Sequence, residues 1–288
     1  MPNVTQLIRN VRQSRRVQQS IIEKDYALSY LLAAIATTDE LGENLVLKGG
    51  TALKKLYFSK YRFSEDLDYS TRVIGPIQQI DALMNDVVHG MVESLNQRGP
   101  FQISIEPLVL KLPHPGDQIA YIVRVQFPEH RQPLCRLKIE ITIDEPILTP
   151  TENRHVLHGF AEDFYAQVAV YSLVEITAEK LRALLQSKSR LHERGWGASR
   201  VCRDYFDLWN LLQLPGIISP NLVPLLRDKC AVRSISFDTP YDFISEDLLS
   251  VARSEWKQQL LPFVPDAPSA AELLPQVQNL ILSVWQQR

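Results

Sequence analysis

No apolar run in this chain is long enough to cross a bilayer. The longest candidate, YLLAAIA at residues 30–36, falls far short of the roughly 20 residues that a spanning helix needs. Cysteine is scarce. Cys135, Cys202 and Cys230 are three in number, far apart and in no CxxC pattern, which argues against a disulfide scaffold or a zinc site and fits a reducing compartment. The six histidines lack ligand spacing, His155 and His158 being the only near pair. Charge of one sign is not in excess either: a formal net charge of −2 excludes a strongly basic nucleic-acid coat and leaves local basic patches open. There is no internal repeat or low-complexity tract. The opening MPNVTQLIRNVRQSRRVQQS has four arginines, no acid and no apolar run, so it does not read as a signal peptide. These absences lead to the expectation of a soluble, cytoplasmic protein without a membrane partner.

What remains is an ordinary globular composition, 45% hydrophobic and 22% charged over 288 residues, enough for one large domain or two ordinary ones. Apolar residues recurring at three and four predict helix over 5–37, in two pieces, with Arg9, Arg12 and Arg16 sharing one face. That face reads either as solvated surface or as a contact for an RNA backbone. A short strand ends in LVLKGG, TALKKLYFSK reads as helix, EDLDYST as strand and 77–97 as helix. From 101 to 145 the period falls to two, giving a β-meander with a hairpin at 113–117. From about 165 helices dominate. The shift in composition places a boundary near 155: an α/β domain over 1–155, with a mixed or antiparallel sheet and flanking helices, then an all-α domain over 156–288.

The stretch LVLKGGTALKKLYFSKYRFSEDLDYS, residues 45–70, carries the most chemistry. A strand running through Lys48 into Gly49, Gly50 and a helix presents backbone N–H groups and a helix start to an anion, with Thr51 adding a hydroxyl. Taken alone, a glycine pair before a helix is only a turn. The extended segment that follows raises the specificity, because Arg62, Ser64, Asp66 and Asp68 fall on one face and Phe63 and Leu67 on the other. Two carboxylates at i and i+2 stand about 6.6 Å apart along a strand and can converge on one cation. Mg²⁺ suits such a pair, since it takes few carboxylates and completes its shell with water and substrate phosphates. A third carboxylate is sought on a neighbouring strand. In LCRLKIEITID, Glu140 lies on the polar face among cations, with Asp144 as the alternative and an ordinary cross-strand ion pair as the plainer reading.

The set KGGTAL, RFSEDLDY, VEITAEKLRAL and RDYFDLWNLL, in that order and joined by EKDYAL at 23–28, resembles the AbiEii family of nucleotidyltransferase-like toxins over roughly residues 20–215. The resemblance implies a DNA-polymerase-β-type nucleotidyltransferase core with a helical second domain. It implies transfer of a nucleotide from an NTP to RNA, tRNA in the known cases, or nucleotide binding. A small molecule is the alternative acceptor, and a catalytically silent nucleotide- or RNA-binding protein the alternative role. It also implies the setting of a toxin–antitoxin or phage-defence pair, with a cognate antitoxin encoded nearby. By this match Gly49, Gly50 and Thr51 fall at the phosphate loop and Asp66 and Asp68 at Mg²⁺ or Mn²⁺. Lys48, Arg62 and Ser64 are expected at the nucleotide beside them, and Glu140, which no motif of the family fixes, is expected as the third metal ligand and the group that activates the acceptor hydroxyl. Lys180 falls at the family's motif lysine, and Asp204 or Asp207 at its last motif aspartate.

Read from the residues, Ser172 and Glu175 form a capping box before a helix on which Lys180 interrupts an apolar stripe. It either snorkels to solvent or points into a cleft toward an anion, and the expectation is contact with the triphosphate, whose charge it would neutralise. Asp204 and Asp207, at i and i+3, read equally as catalytic groups or as part of an Arg–Asp–Lys brace. KSRLHERGWGASRVCR, residues 188–203, reads as a mobile basic loop with Trp196 as a stacking surface, either solvated or docking RNA.

Overall fold

The computed structural model describes residues 3–110 and 117–286, so the hairpin expected at 113–117 falls almost wholly outside the described residues. The chain divides into two compact units, Met1–Tyr171 and Ser172–Arg288.

The first unit is a mixed α/β layer. Helix α1 (Val4–Arg15) stops at Arg16, and α2 (Gln19–Thr37) follows at once, so the long helical pattern is cut by a left-handed residue with φ 54°. After α3 (Asp39–Asn44) comes the fully buried strand β1 (Leu45–Lys48), then the short helix α4 (Gly49–Ala52), which passes into a single π-turn at Leu53–Tyr57. Strand β2 (Asp66–Thr71), helix α5 (Ile80–Asn96) and strands β3 (Gln102–Pro107), β4 (Gln118–Gln126), β5 (Cys135–Thr142), β6 (Glu152–His155) and β7 (Gln167–Val170) complete it. The seven strands form one sheet in the order β3-β4-β5-β2-β1-β7-β6. β2 sits at its centre, antiparallel to β1 and parallel to β5, while β7 runs parallel to β1. Because β6 and β7 pair into this sheet, the first unit extends to Tyr171, past the composition shift near 155.

The period of two in β2 and β5 sorts the faces. Leu67, Tyr69, Leu137, Ile139 and Ile141 are fully buried, whereas Asp66, Asp68, Lys138 and Glu140 are half-buried. Helix α5 meets the apolar face, where Tyr121 of β4 donates its hydroxyl to Asp81 at 2.5 Å, and α2 packs beside it.

The described elements of the second unit are helices: α6 (Leu173–Arg194), α7 (Val201–Leu211), α8 (Leu222–Val232), α9 (Glu246–Glu255) and α10 (Ala270–Val284), with a 3₁₀ turn at Pro240–Ile244 and a π-turn at Trp256–Leu260. Ser172 caps α6 by accepting the Glu175 N–H at 3.1 Å. The basic segment at 188–203 is mostly helix rather than loop, a correction to the sequence reading. SKSRLHER lets α6 run on to Arg194, and Gly195 ends it at φ 73°, leaving only 195–200 between helices. Lys188 is accordingly held by Asp242 at 2.8 Å, while Trp196 stays 68% exposed beside the Arg194 guanidinium.

All three cysteines are free and buried, and burial pushes the Cys135 thiol up to about 12 and the Cys230 thiol up to about 11. Among the described residues no helix is long and apolar enough to cross a membrane.

Candidate functional site

Register brings the predicted carboxylates to one face of the central strands. Asp68 lies beside Lys48 of β1 on one side and Glu140 of β5 on the other, and Asp66 lies beside Lys138. Residues opposite one another across a ladder project to the same side, so Lys48, Asp68 and Glu140 form one row, ending in Ala120 of β4. Glu140 is therefore the acid in register with the aspartate pair. Asp144 lies past the end of β5, where its Oδ2 accepts the Asp117 N–H at 2.9 Å.

The glycine pair sits under these side chains. Gly49 has φ 74°, a left-handed conformation that glycine adopts at little cost, and a Cβ there would stand 2.7 Å from Asp68 Oδ2. At Gly50 a Cβ would meet the Arg62 guanidinium at 2.5 Å and Ser64 Oγ at 3.2 Å. Asp68, Arg62 and Ser64 thus converge on the turn from β1 into α4. Arg62 is almost wholly buried, and its Nη1 donates to the Phe63 carbonyl at 3.3 Å. Thr51 is fully buried and donates its hydroxyl to the Asp66 carbonyl oxygen, pinning the glycine turn to the start of β2. Lys48 is buried with its ammonium 5.7 Å from the centre of the Tyr171 ring.

The carbonyls of the π-turn that follows α4 are taken by its own cap and by partners from elsewhere in the chain. The Lys55 carbonyl accepts the Leu157 N–H at 2.6 Å, the Leu56 carbonyl accepts Arg154 Nε at 2.9 Å, and the Leu53 carbonyl accepts the Phe58 N–H at 2.9 Å. Helix α2 clamps the same segment at both ends. Asp25 pairs with the fully buried Lys55 at 2.8 Å, and Lys24 pairs at 2.7 Å with Glu65, the residue just before β2. Glu23 meets His130 Nε2 at 3.3 Å. EKDYAL is thus a brace for the site, a role that sequence reasoning missed; its signal is three charged residues at the buried start of an apolar helix. The clamp also takes up the charge of Lys55, and Lys54 is turned to the Ser59 carbonyl at 3.2 Å and over the Phe63 ring at 4.8 Å.

The donor set suits a hard divalent ion that takes one or two carboxylates: Asp66 and Asp68, half-buried at the start of β2 above the glycine turn. Glu140 is engaged elsewhere, its Oε1 2.7 Å from the Lys138 ammonium. Among the described residues no three His, Cys, Asp or Glu side chains gather closely enough to hold an ion, so the expected set of Asp66, Asp68 and Glu140 is not gathered into one cluster.

Within the second unit, Lys180 lies 2.8 Å from Asp204 and 2.9 Å from Asp207. Asp207 is fully buried, so the three residues tie α6 to α7. Glu175 and Lys229 form a second buried pair at 2.6 Å between α6 and α8.

Compared with models of known protein families, residues 30–281 match the family described as "Nucleotidyl transferase AbiEii toxin, Type IV TA system". No curated protein matches the chain.

Proposed function

The chain belongs to the AbiEii nucleotidyl transferase toxin family, and from that premise we propose that it is a divalent-metal-dependent enzyme moving a nucleotide from an NTP to RNA, with tRNA as the acceptor. The single observation that carries this reading is the convergence of Asp68 and Arg62 on the Gly49–Gly50 turn, with Asp66 on the same face.

In this reading the glycine turn admits the triphosphate close to backbone N–H groups. Lys48 and Arg62 lie nearest to its charge, and Ser64 offers a hydroxyl at the same place. Thr51 positions the turn against β2. Asp66 and Asp68 hold Mg²⁺, or Mn²⁺ in its place, which when bound neutralises the triphosphate and the departing pyrophosphate. Glu140, released from Lys138, accepts the proton of the acceptor hydroxyl. That oxygen bonds to the α-phosphorus as the bridge to the β-phosphate breaks, and pyrophosphate leaves with the bond's electrons. Lys180, Asp204 and Asp207 act here as a brace of the helical unit. The type IV toxin–antitoxin setting of the family implies a cognate antitoxin; toxicity to the host and a part in phage defence belong to the proposal.

The test is incubation with each α-labelled NTP, Mg²⁺ and total RNA, followed by gel analysis of the wild type, Asp66→Asn and Asp68→Asn. Label on RNA with the wild type alone supports the reading. NTP binding without pyrophosphate release, or label only on a small molecule, overturns it.

A further inference from the structure

Helix α1 carries a feature that the proposed chemistry leaves unused. Its apolar side, Val4, Leu7 and Ile8, is buried. On the other side Arg9, Arg12 and Arg16 are exposed and, among the described residues, neither donate to a protein acceptor nor pair with a carboxylate. Elsewhere in the same unit Arg72 is held by the Glu43 carbonyl at 2.9 Å, Arg124 by Glu106 at 2.7 Å and Arg154 by Glu152 at 2.8 Å, while Arg131 and Arg136 are exposed on other elements. The three arginines line a groove of about 630 Å³ together with Gln13, Val17 and Gln18, and among the described residues no acid lines it. We infer that this groove is a docking site for the phosphodiester backbone of an RNA, and, granted the proposed function, of its acceptor.

Charge and chemistry select this occupant. The first twenty residues hold four arginines and no acid in a chain of net charge −2. The helix dipole favours a cation in the last turn, which accounts for Arg12 and Arg15 but not for Arg9, a turn earlier. Neighbouring cations at i+3 and i+4 repel by a few tenths of a kcal/mol each. Arg16 closes the helix at φ 54°, where glycine or asparagine is the less costly residue. A sequence that keeps these arginines despite both costs is matched to a ligand of opposite charge. Arginine's planar fork fits phosphate oxygens two at a time, and from 9 to 16 the chain advances about 10 Å, the reach of a few phosphates of one strand. Among the described residues the groove has no aromatic lining residue, and its one apolar member, Val17, is buried. It therefore lacks the stacking surface that reads unpaired bases and the apolar anchor that a protein partner would fill. A backbone remains.

The groove precedes residue 30, where the family match begins, so membership of the family does not assign it. It is nevertheless fastened to the site's own unit. Arg15, the helix's other arginine, donates to the Ser59 carbonyl at 2.8 Å, the same oxygen that Lys54 reaches from the π-turn.

The test uses the full chain and a fluorescein-labelled total tRNA pool, with anisotropy read from 50 to 200 mM KCl. In the triple variant Arg9→Gln, Arg12→Gln, Arg16→Gln the Kd at 150 mM rises by about tenfold or more, and the slope of log K against log salt falls by about 2 to 3. The corresponding triple lysine variant keeps the wild-type slope. Equal affinity and slope in the glutamine variant and the wild type overturn the inference, as does displacement of the tRNA by poly-glutamate at matched charge, which would point to an acidic protein partner. Binding of α-labelled NTP, followed by equilibrium dialysis, is unchanged in both variants. Wild-type protein that labels RNA while the arginine changes have no effect sinks only the docking site. Salt-dependent RNA binding without nucleotide binding sinks only the transferase.

Discussion

The Asp68 carboxylate closes over Gly49, so near that a Cβ on the glycine would stand 2.7 Å from Oδ2. Gly49→Ala therefore strains the backbone at φ 74° by about 1 kcal/mol and also pushes Asp68 off its place above the turn. The expected outcome is a small loss of thermal stability with a fall in transfer of roughly 100-fold, the scale on which a misplacement of about 1 Å acts. Melting curves and label incorporation check this together. Activity that falls only in step with folded protein would remove Asp68 from the chemistry.

Glu140 stands in register with Asp68 yet is held by Lys138 at 2.7 Å. Lys138→Met frees the carboxylate to join the aspartates. Mn²⁺ titration followed by electron paramagnetic resonance should show tighter binding, by a factor of about 5 for each ~1 kcal/mol of lost ion pairing, and Glu140→Gln in the same background should reverse it. Unchanged Mn²⁺ affinity would leave Glu140 without a part in holding the metal.

Lys180 answers two aspartates, one of them fully buried. Lys180→Ala leaves Asp207 charged with that partner removed, which costs about 3–5 kcal/mol. Denaturant unfolding should register that loss, and Lys180→Met combined with Asp207→Asn should recover much of it. If Lys180→Ala unfolds like the wild type while transfer disappears, the brace is the wrong description and direct catalysis the right one.

Burial lowers Lys54 from the usual lysine range to about 8, with the Asp25 carboxylate opposing that shift and Lys55 and Arg15 adding to it. The folded chain thus sheds this proton before the unfolded chain does. Between pH 8 and about 10.4 the unfolded state binds more protons, so this residue makes stability rise with pH in that window and penalises the fold below it. Lys54→Met should raise stability near pH 7 by about 1–3 kcal/mol and flatten the rise above pH 8. Chemical denaturation at pH 7, 8 and 9 measures both effects.

The glycine turn and the DxD strand are legible in the sequence because each depends on short-range order, whereas alternation along β5 leaves Glu140 and Asp144 as alternatives. A period of two sorts Asp66 and Asp68 from Leu67, and glycines before a helix mark a close approach. The pairing of Glu140 with Asp68 depends on β5 lying parallel to β2, a long-range choice that alternation does not encode. The same is true of Asp25 with Lys55, thirty residues apart in sequence. From the sequence Thr51 offers a hydroxyl to an anion; its donation to the Asp66 carbonyl needs the strand to be in place. The segment at 188–203 was read as loop because its charges and glycines mask a helix that α6 carries to Arg194.

The native thiols are shielded, and burial holds Cys135 and Cys230 protonated at neutral pH, so maleimide will pass them by while the chain is folded. A single cysteine placed at Gln13 would then take a fluorophore selectively on α1, without first stripping the protein of its own sulfur.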